Sequence, residues 1–136
     1  MKTKFSIQWK RSIQPRKQRK YRYRAPLHVR QHFMHSHLSP ELRKKYGKRS
    51  AGLRKGDKVK VMRGRYKKQT GKIEHILLRR GVVYISGIQL SRKDGNKVFV
   101  PFQPSNLMIT ELSIEDKKRS GILERGKSKQ NDKKSS

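Results

Sequence analysis

With 38 Lys and Arg against nine Asp and Glu in 136 residues, and only 31% hydrophobic residues, the chain cannot bury its whole length in one core. Its formal charge of +29 repels itself at a Debye length of roughly 8 Å unless a polyanion neutralises it, so RNA, DNA or an anionic membrane is implied. The longest apolar run is four residues, Val82 to Ile85, against the roughly 20 that span a bilayer, and the lack of cysteine excludes disulfides and thiolate metal sites.

Residues 1–25 read as an extended basic arm that threads RNA. The first forty residues hold eleven Lys or Arg, four His and no acid. The basic start, MKTKFSIQWKRSIQPRKQRK, is not read as a transit peptide, because the same character continues along the chain. In RKQRKYRYR the cations Arg16, Lys17, Arg19, Lys20, Arg22 and Arg24 alternate with Tyr21 and Tyr23. Arg forks bidentately to phosphate and Tyr stacks on bases, so this segment is expected to bind RNA and to order on binding. Trp9 serves equally well as a packing or a stacking anchor.

Residues 26–52 predict two short basic helices. Ala25-Pro26 signals a start with Pro in the first position, and Leu27, Arg30, Phe33 and Met34 then share a face. In Ser39-Pro40-Glu41-Leu42, Ser caps, Pro occupies the first turn, Glu meets the positive end of the dipole, and Gly47 terminates.

Residues 53–112 predict a five-stranded barrel. VKVM, KIEHILL, GVVYISGIQL, KVFV and LMIT are short β-rich runs separated by turns at Gly64 to Gly71, Arg80-Gly81, Asp94-Gly95-Asn96 and Pro101 to Pro104. Phe99, Phe102, Leu107 and Ile109 are expected to fill it. Ser113 with Asp116 predicts a capped helix over 113–126 ending at Gly126, and residues 127–136 read as a disordered basic tail. The fold expected is mostly β, a small barrel with a basic N-terminal extension containing short helices and a C-terminal helix.

Period two in KVKVMR places Val59 and Val61 inward and Lys58 and Lys60 outward. Arg63, Arg65, Lys67 and Lys68 follow around the turn, with Tyr66 at its tip, and Lys72 continues the row. Such a ladder meets successive phosphates, and Tyr66 is placed to stack on a base or sugar. Gly64 and Gly71 permit a tight turn and close approach of backbone to a ligand.

Residues Gly56 to Ile73, GDKVKVMRGRYKKQTGKI, resemble the KOW motif of ribosomal proteins and transcription-elongation factors. QPRKQRKYRYRAPLHVRQHFM, LSPELRKKYGKRS, LRKGDKVKVMRG, DGNKVFVPFQPSNLMITEL and SIEDKKRSGILER occur in that order. Over residues 14–127 they resemble the universal large-subunit ribosomal protein twenty-four family, closest to its archaeal form, whose eukaryotic counterpart is large-subunit protein twenty-six. The resemblance implies a Src-homology-three-like (KOW) barrel that binds large-subunit rRNA in its 5′ domain, supports early subunit assembly and lies near the peptide exit tunnel. It also implies a cytoplasmic monomer within the ribosome, beside neighbouring large-subunit proteins. Carried onto this chain, the rRNA-binding set is the cations and tyrosines of the arm with His28, Arg30, Arg49, Arg54, Lys55, Lys58, Lys60, Arg63, Arg65, Tyr66, Lys67, Lys68 and Lys72. The family has glycine where this chain has Lys68. A non-glycine residue at positive φ is strained, so the turn is expected to have adjusted.

His28 and His32 have the i, i+4 spacing of helix metal ligands, but the surrounding cations oppose a divalent ion; imidazoles stacking on or hydrogen-bonding to RNA are the reading adopted. No nucleophile elbow, phosphate loop or carboxylate pair is visible, and Glu74 and His75 fall on opposite faces of a strand. The expectation is a non-enzymatic protein without cofactor, metal, membrane or small-molecule partner. The rivals are a polymerase-binding KOW elongation factor and a DNA-compacting chromosomal protein.

Overall fold

The computed structural model describes residues 5–7 and 12–131, the last six by their backbone. Trp9 and the end of the expected tail, residues 132–136, lie outside the described residues. The elements in chain order are α1 (Pro15–Arg24), α2 (Leu27–Phe33), β1 (His35–Leu38), α3 (Pro40–Tyr46), β2 (Ser50–Gly52), β3 (Lys58–Val61), β4 (Thr70–Leu77), β5 (Val82–Ser91), β6 (Lys97–Phe102), a 3-10 turn (Pro104–Asn106), β7 (Leu107–Glu111) and α4 (Lys117–Asn131).

All five expected strands form, as β3 to β7, but they do not close into a barrel. The architecture is mixed α/β, an open seven-stranded sheet in the order β2-β1-β7-β3-β4-β5-β6. Barrel closure needs a free edge on β7. Here β1 occupies that edge in parallel, with His37 opposite Met108 and Leu38 opposite Ile109. β2 then pairs antiparallel with β1. These two strands come from the segment expected to hold only helices. β6 reaches β7 through the 3-10 turn instead of pairing with it.

The apolar alternation of each strand points to one core. Val59 lies between Gly71 and Ile109, which is itself opposite Leu38, so one inward row crosses four strands. Leu38, Val59, Val61, Ile73, Val83, Ile85, Leu107 and Ile109 are almost completely excluded from water. Burial of such side chains contributes roughly 1.5–3 kcal/mol each before conformational entropy is subtracted. Phe102 joins this core, whereas Phe99 is half-buried outside it and meets Tyr84 and His75 edge-on. Gly71 is required by packing. A Cβ there would lie 2.6 Å from the Ser86 carbonyl oxygen, so the close approach permitted is of β5 and not of a ligand.

The helices differ from expectation in detail. α3 follows its sequence signals: Ser39 Oγ accepts from the Leu42 N–H, and Gly47, at φ 62°, donates to the Arg43 carbonyl. α2 begins one residue later than expected, with Pro26 as its cap. Val29 and the C-capping Met34 are buried, while Leu27 and Phe33 remain about half exposed. The arm expected to be extended contains α1, a ten-residue helix with no buried residue. α4 starts after Asp116, whose Oδ1 accepts from the Lys118 N–H, while Ser113, expected as the cap, lies upstream and donates its own N–H to Asp57. The helix continues past Gly126, where it was expected to stop, to Asn131.

Candidate nucleic-acid interface

On the water-facing side of the central strands, the register places Lys72 opposite Lys58 and Lys58 opposite Glu111. Like charges directly across a ladder repel, and Lys58 Nζ relieves this by binding Glu111 Oε1 at 2.8 Å. The next outward row runs Thr70, Lys60, Met108 and His37 across four strands. Lys60 and Lys72 have no ionic partner among the described residues, so of the three lysines only the charge of Lys58 is opposed. Glu74 and His75 are not separated by the strand as expected. A register shift between Ile73 and His75 brings their side chains within 3.7 Å.

Between β3 and β4 the chain forms an exposed loop over residues 62–69 carrying Arg63, Arg65, Lys67 and Lys68. Its base is closed by the Lys68 N–H to the Val61 carbonyl and the Val61 N–H to the Gln69 carbonyl, each 2.9 Å. Closing both bonds requires a left-handed residue at position 68, and Lys68 adopts φ 75°. The expected adjustment did not occur; lysine occupies the conformation that glycine adopts without strain. Tyr66, expected free at the tip, turns inward and packs edge-on against Phe102 at 6.0 Å between ring centroids.

The arm supplies a second cationic surface. Arg16, Lys17, Arg19, Lys20, Arg22, Tyr23 and Arg24 are all exposed on α1. Tyr21 is half-buried against Phe5 at 4.9 Å and Phe33 at 6.3 Å, and Arg22 lies 5.9 Å above the Phe33 ring. Arg30 serves the fold: its Nε donates to the Ala25 carbonyl at 2.9 Å, and its terminal nitrogens donate to the Arg79 and Tyr23 carbonyls. His28, Arg49, Arg54 and Lys55 are exposed, and Arg54 pairs with Asp116. The Arg54 guanidinium, with the Lys118 N–H, holds the Asp116 carboxyl below the usual aspartate range.

Asp57, the single acid in GDKVKVMRGRYKKQTGKI, does not face water. Its carboxylate is wholly buried and forms a fork with Arg119, Oδ1 and Oδ2 each 2.6 Å from a guanidinium nitrogen. The Arg54 and Ser113 N–H groups also donate to it, while Arg119 donates to the Ser113 and Gly52 carbonyls. This network joins β2, β3 and α4, and leaves the surface of this stretch without a negative charge. Sequence reasoning missed the pair, and it also missed Arg79 and Arg80, exposed in the β4–β5 turn. The Arg-Arg-Gly tripeptide was the signal for the latter.

Burial and the nearby charge of His32 lower the pKa of His35. The two rings lie 6.4 Å apart, and among the described residues no group of three or more His, Cys, Asp or Glu is gathered as a metal site. No helix among them is long and apolar enough to cross a membrane.

A family model describing the L26 ribosomal proteins of eukaryotes together with their archaeal L24-type counterparts matches residues 12–126. The large ribosomal subunit protein uL24 of Methanothrix thermoacetophila is 53% identical over 114 residues, which cover 84% of this chain and 98% of that protein. The protein of the same name from Methanosarcina barkeri is 49% identical over the same lengths.

Proposed function

The chain belongs to the ribosomal protein family that comprises the eukaryotic L26 and archaeal L24 types, and from that premise we propose that it is a structural protein of the large ribosomal subunit that binds rRNA. It is a ribosomal protein and not an enzyme, and this membership replaces the polymerase-factor and chromosomal-protein alternatives. One observation carries the RNA-binding reading: the cations of α1 and of the 62–69 loop are exposed, and nine acids in the whole chain cannot neutralise 38 Lys and Arg. At least one of those acids, Asp57, is spent inside the fold.

The mechanism is electrostatic and geometric. The open sheet anchors the loop through its closed base, α1 extends a second cationic surface, and together they allow RNA segments to approach each other. Binding in the 5′ domain, action early in assembly and a place beside the peptide exit tunnel and neighbouring subunit proteins are the finer parts of this reading. They rest on the resemblance carried by residues 14–127 and on the identity to relatives named as large-subunit proteins.

The test is a salt titration with a transcript of the 5′ domain of large-subunit rRNA and a random DNA duplex of equal length. The rRNA is expected to bind tighter at about 150 mM salt, near physiological ionic strength. Lys60→Ala, Arg63→Ala and Lys67→Ala together are expected to flatten the log–log slope by about 2–3, at roughly 0.7–0.9 per lost phosphate contact. Equal affinities, or an unchanged slope, would count against the assignment and the loop respectively.

A further inference from the structure

Away from the strand face, a cleft of about 430 Å³ opens between the end of α1, α2 and the β4–β5 turn. That volume falls in the usual range of small-ligand sites, roughly 300–1,000 Å³. Arg22, Tyr23, Arg30, Phe33, Arg79 and Arg80 are among its walls. Arg30 binds the Tyr23 carbonyl on one wall and the Arg79 carbonyl on the other, so the walls are fixed to each other before any ligand arrives.

Two kinds of group are left to face the opening. Tyr23 is 81% exposed, a large ring kept in water at the lip of a preformed cavity. The guanidinium groups of Arg79 and Arg80 are exposed and have no partner among the described residues. Gln103 and Ser105 add amide and hydroxyl groups to the lining, the chemistry that base edges pair with. An aromatic face beside two cations matches one nucleotide, a π surface joined to a phosphate. Bases inside a duplex are stacked on each other and cannot present a face to Tyr23. The cations of α1 lead directly to the cleft, giving the chain on either side of such a nucleotide a phosphate track.

We propose that this cleft holds one unstacked nucleotide of RNA, its base on Tyr23 and its phosphate on Arg79 and Arg80. The proposal rests on the RNA-binding function above and deepens it, from phosphate neutralisation to recognition of a bulged or looped-out position.

Two RNA hairpins with the same stem distinguish the two, one carrying a single 2-aminopurine bulge and the other fully paired. At about 0.3 M salt, where the general phosphate contribution is reduced, the full chain is expected to bind the bulged hairpin about tenfold tighter and to quench its 2-aminopurine fluorescence. Tyr23→Ala is expected to abolish both the preference and the quenching, and Tyr23→Phe to keep both. Because Tyr23 is exposed, its removal leaves the core intact, and far-UV circular dichroism checks this. Equal binding of the two hairpins, or a preference that survives Tyr23→Ala, overturns the proposal while the rRNA-binding function stands. Failure to bind either hairpin or the 5′-domain transcript overturns both.

Discussion

At the scale of single residues, Asp57 and Arg119 form the contact on which most depends. Each charge is out of water, and each is satisfied by the other together with backbone groups. Removing one partner leaves the other buried and unpaired, which costs about 3–5 kcal/mol. Arg119→Met is therefore expected to lower the urea midpoint sharply. The double variant Asp57→Leu, Arg119→Met is expected to recover part of the loss, and additive losses would refute the pairing. Lys68 has the opposite character, a local misfit. A left-handed non-glycine residue costs about 1–2 kcal/mol, partly offset for glycine by its looser unfolded chain. Lys68→Gly is expected to stabilise the protein by about 0.5–1 kcal/mol in urea unfolding, while lowering the salt slope of RNA binding by about 0.9 if Lys68 meets a phosphate.

At the scale of elements, legibility followed locality. The Ser39 cap, the Gly47 stop and the strands β3 to β7 were readable because their signals lie within a few residues of the structure they specify. β1 and β2 were not. His35–Leu38 and Ser50–Gly52 lack apolar alternation, and β1 is a strand because β7, far later in the chain, offers it an edge. The Asp57–Arg119 pair spans 62 positions and was hidden for the same reason. Of the candidate site, the exposed cations were legible from composition, but the inward turn of Tyr66 and the use of Arg30 as a clamp depend on neighbours distant in sequence. α1 was missed because PRKQRKYRYR has no apolar period and buries nothing. Arg16 and Lys20, and Lys20 and Arg24, are like-charge i, i+4 pairs that oppose the helix, and ten residues are marginal in water. A synthetic peptide of residues 12–26 is thus expected to show little helical circular dichroism alone and a clear gain on adding rRNA fragments. Full helicity in dilute buffer would show that local propensity, not a polyanion, stabilises α1.

For the molecule as a whole, charge governs the response to conditions. Acid adds to a net charge already at +29 and also acts through two identified groups. His35 titrates lower in the folded state than its ordinary value of about 6.5, so the unfolded chain binds more protons as pH falls through that value. Asp116 behaves likewise near and below its ordinary value of about 3.9, as protonation removes its bonds to Arg54 and Lys118. Both contributions are present at neutral pH and are lost downward. Melting temperature in about 0.5 M salt, where the exposed Asp116–Arg54 pair is largely screened, is expected to be flat above about pH 7 and to show a first stage of decline below about 6.5, with little added by Asp116. His35→Asn is expected to remove the first stage; a profile identical to the parent would exclude His35 as its source.

The latch between positions 57 and 119 also bears on synthesis. A nascent polypeptide emerges from its N-terminus at about 5–20 residues per second, so the carboxylate of Asp57 appears several seconds before its guanidinium. During that interval the sheet can collapse only by burying the Asp57 carboxyl without its guanidinium partner, so completion of the fold waits on translation of α4. A product cut short before Arg119 would carry nearly the whole cationic surface and still lack a stable platform to display it.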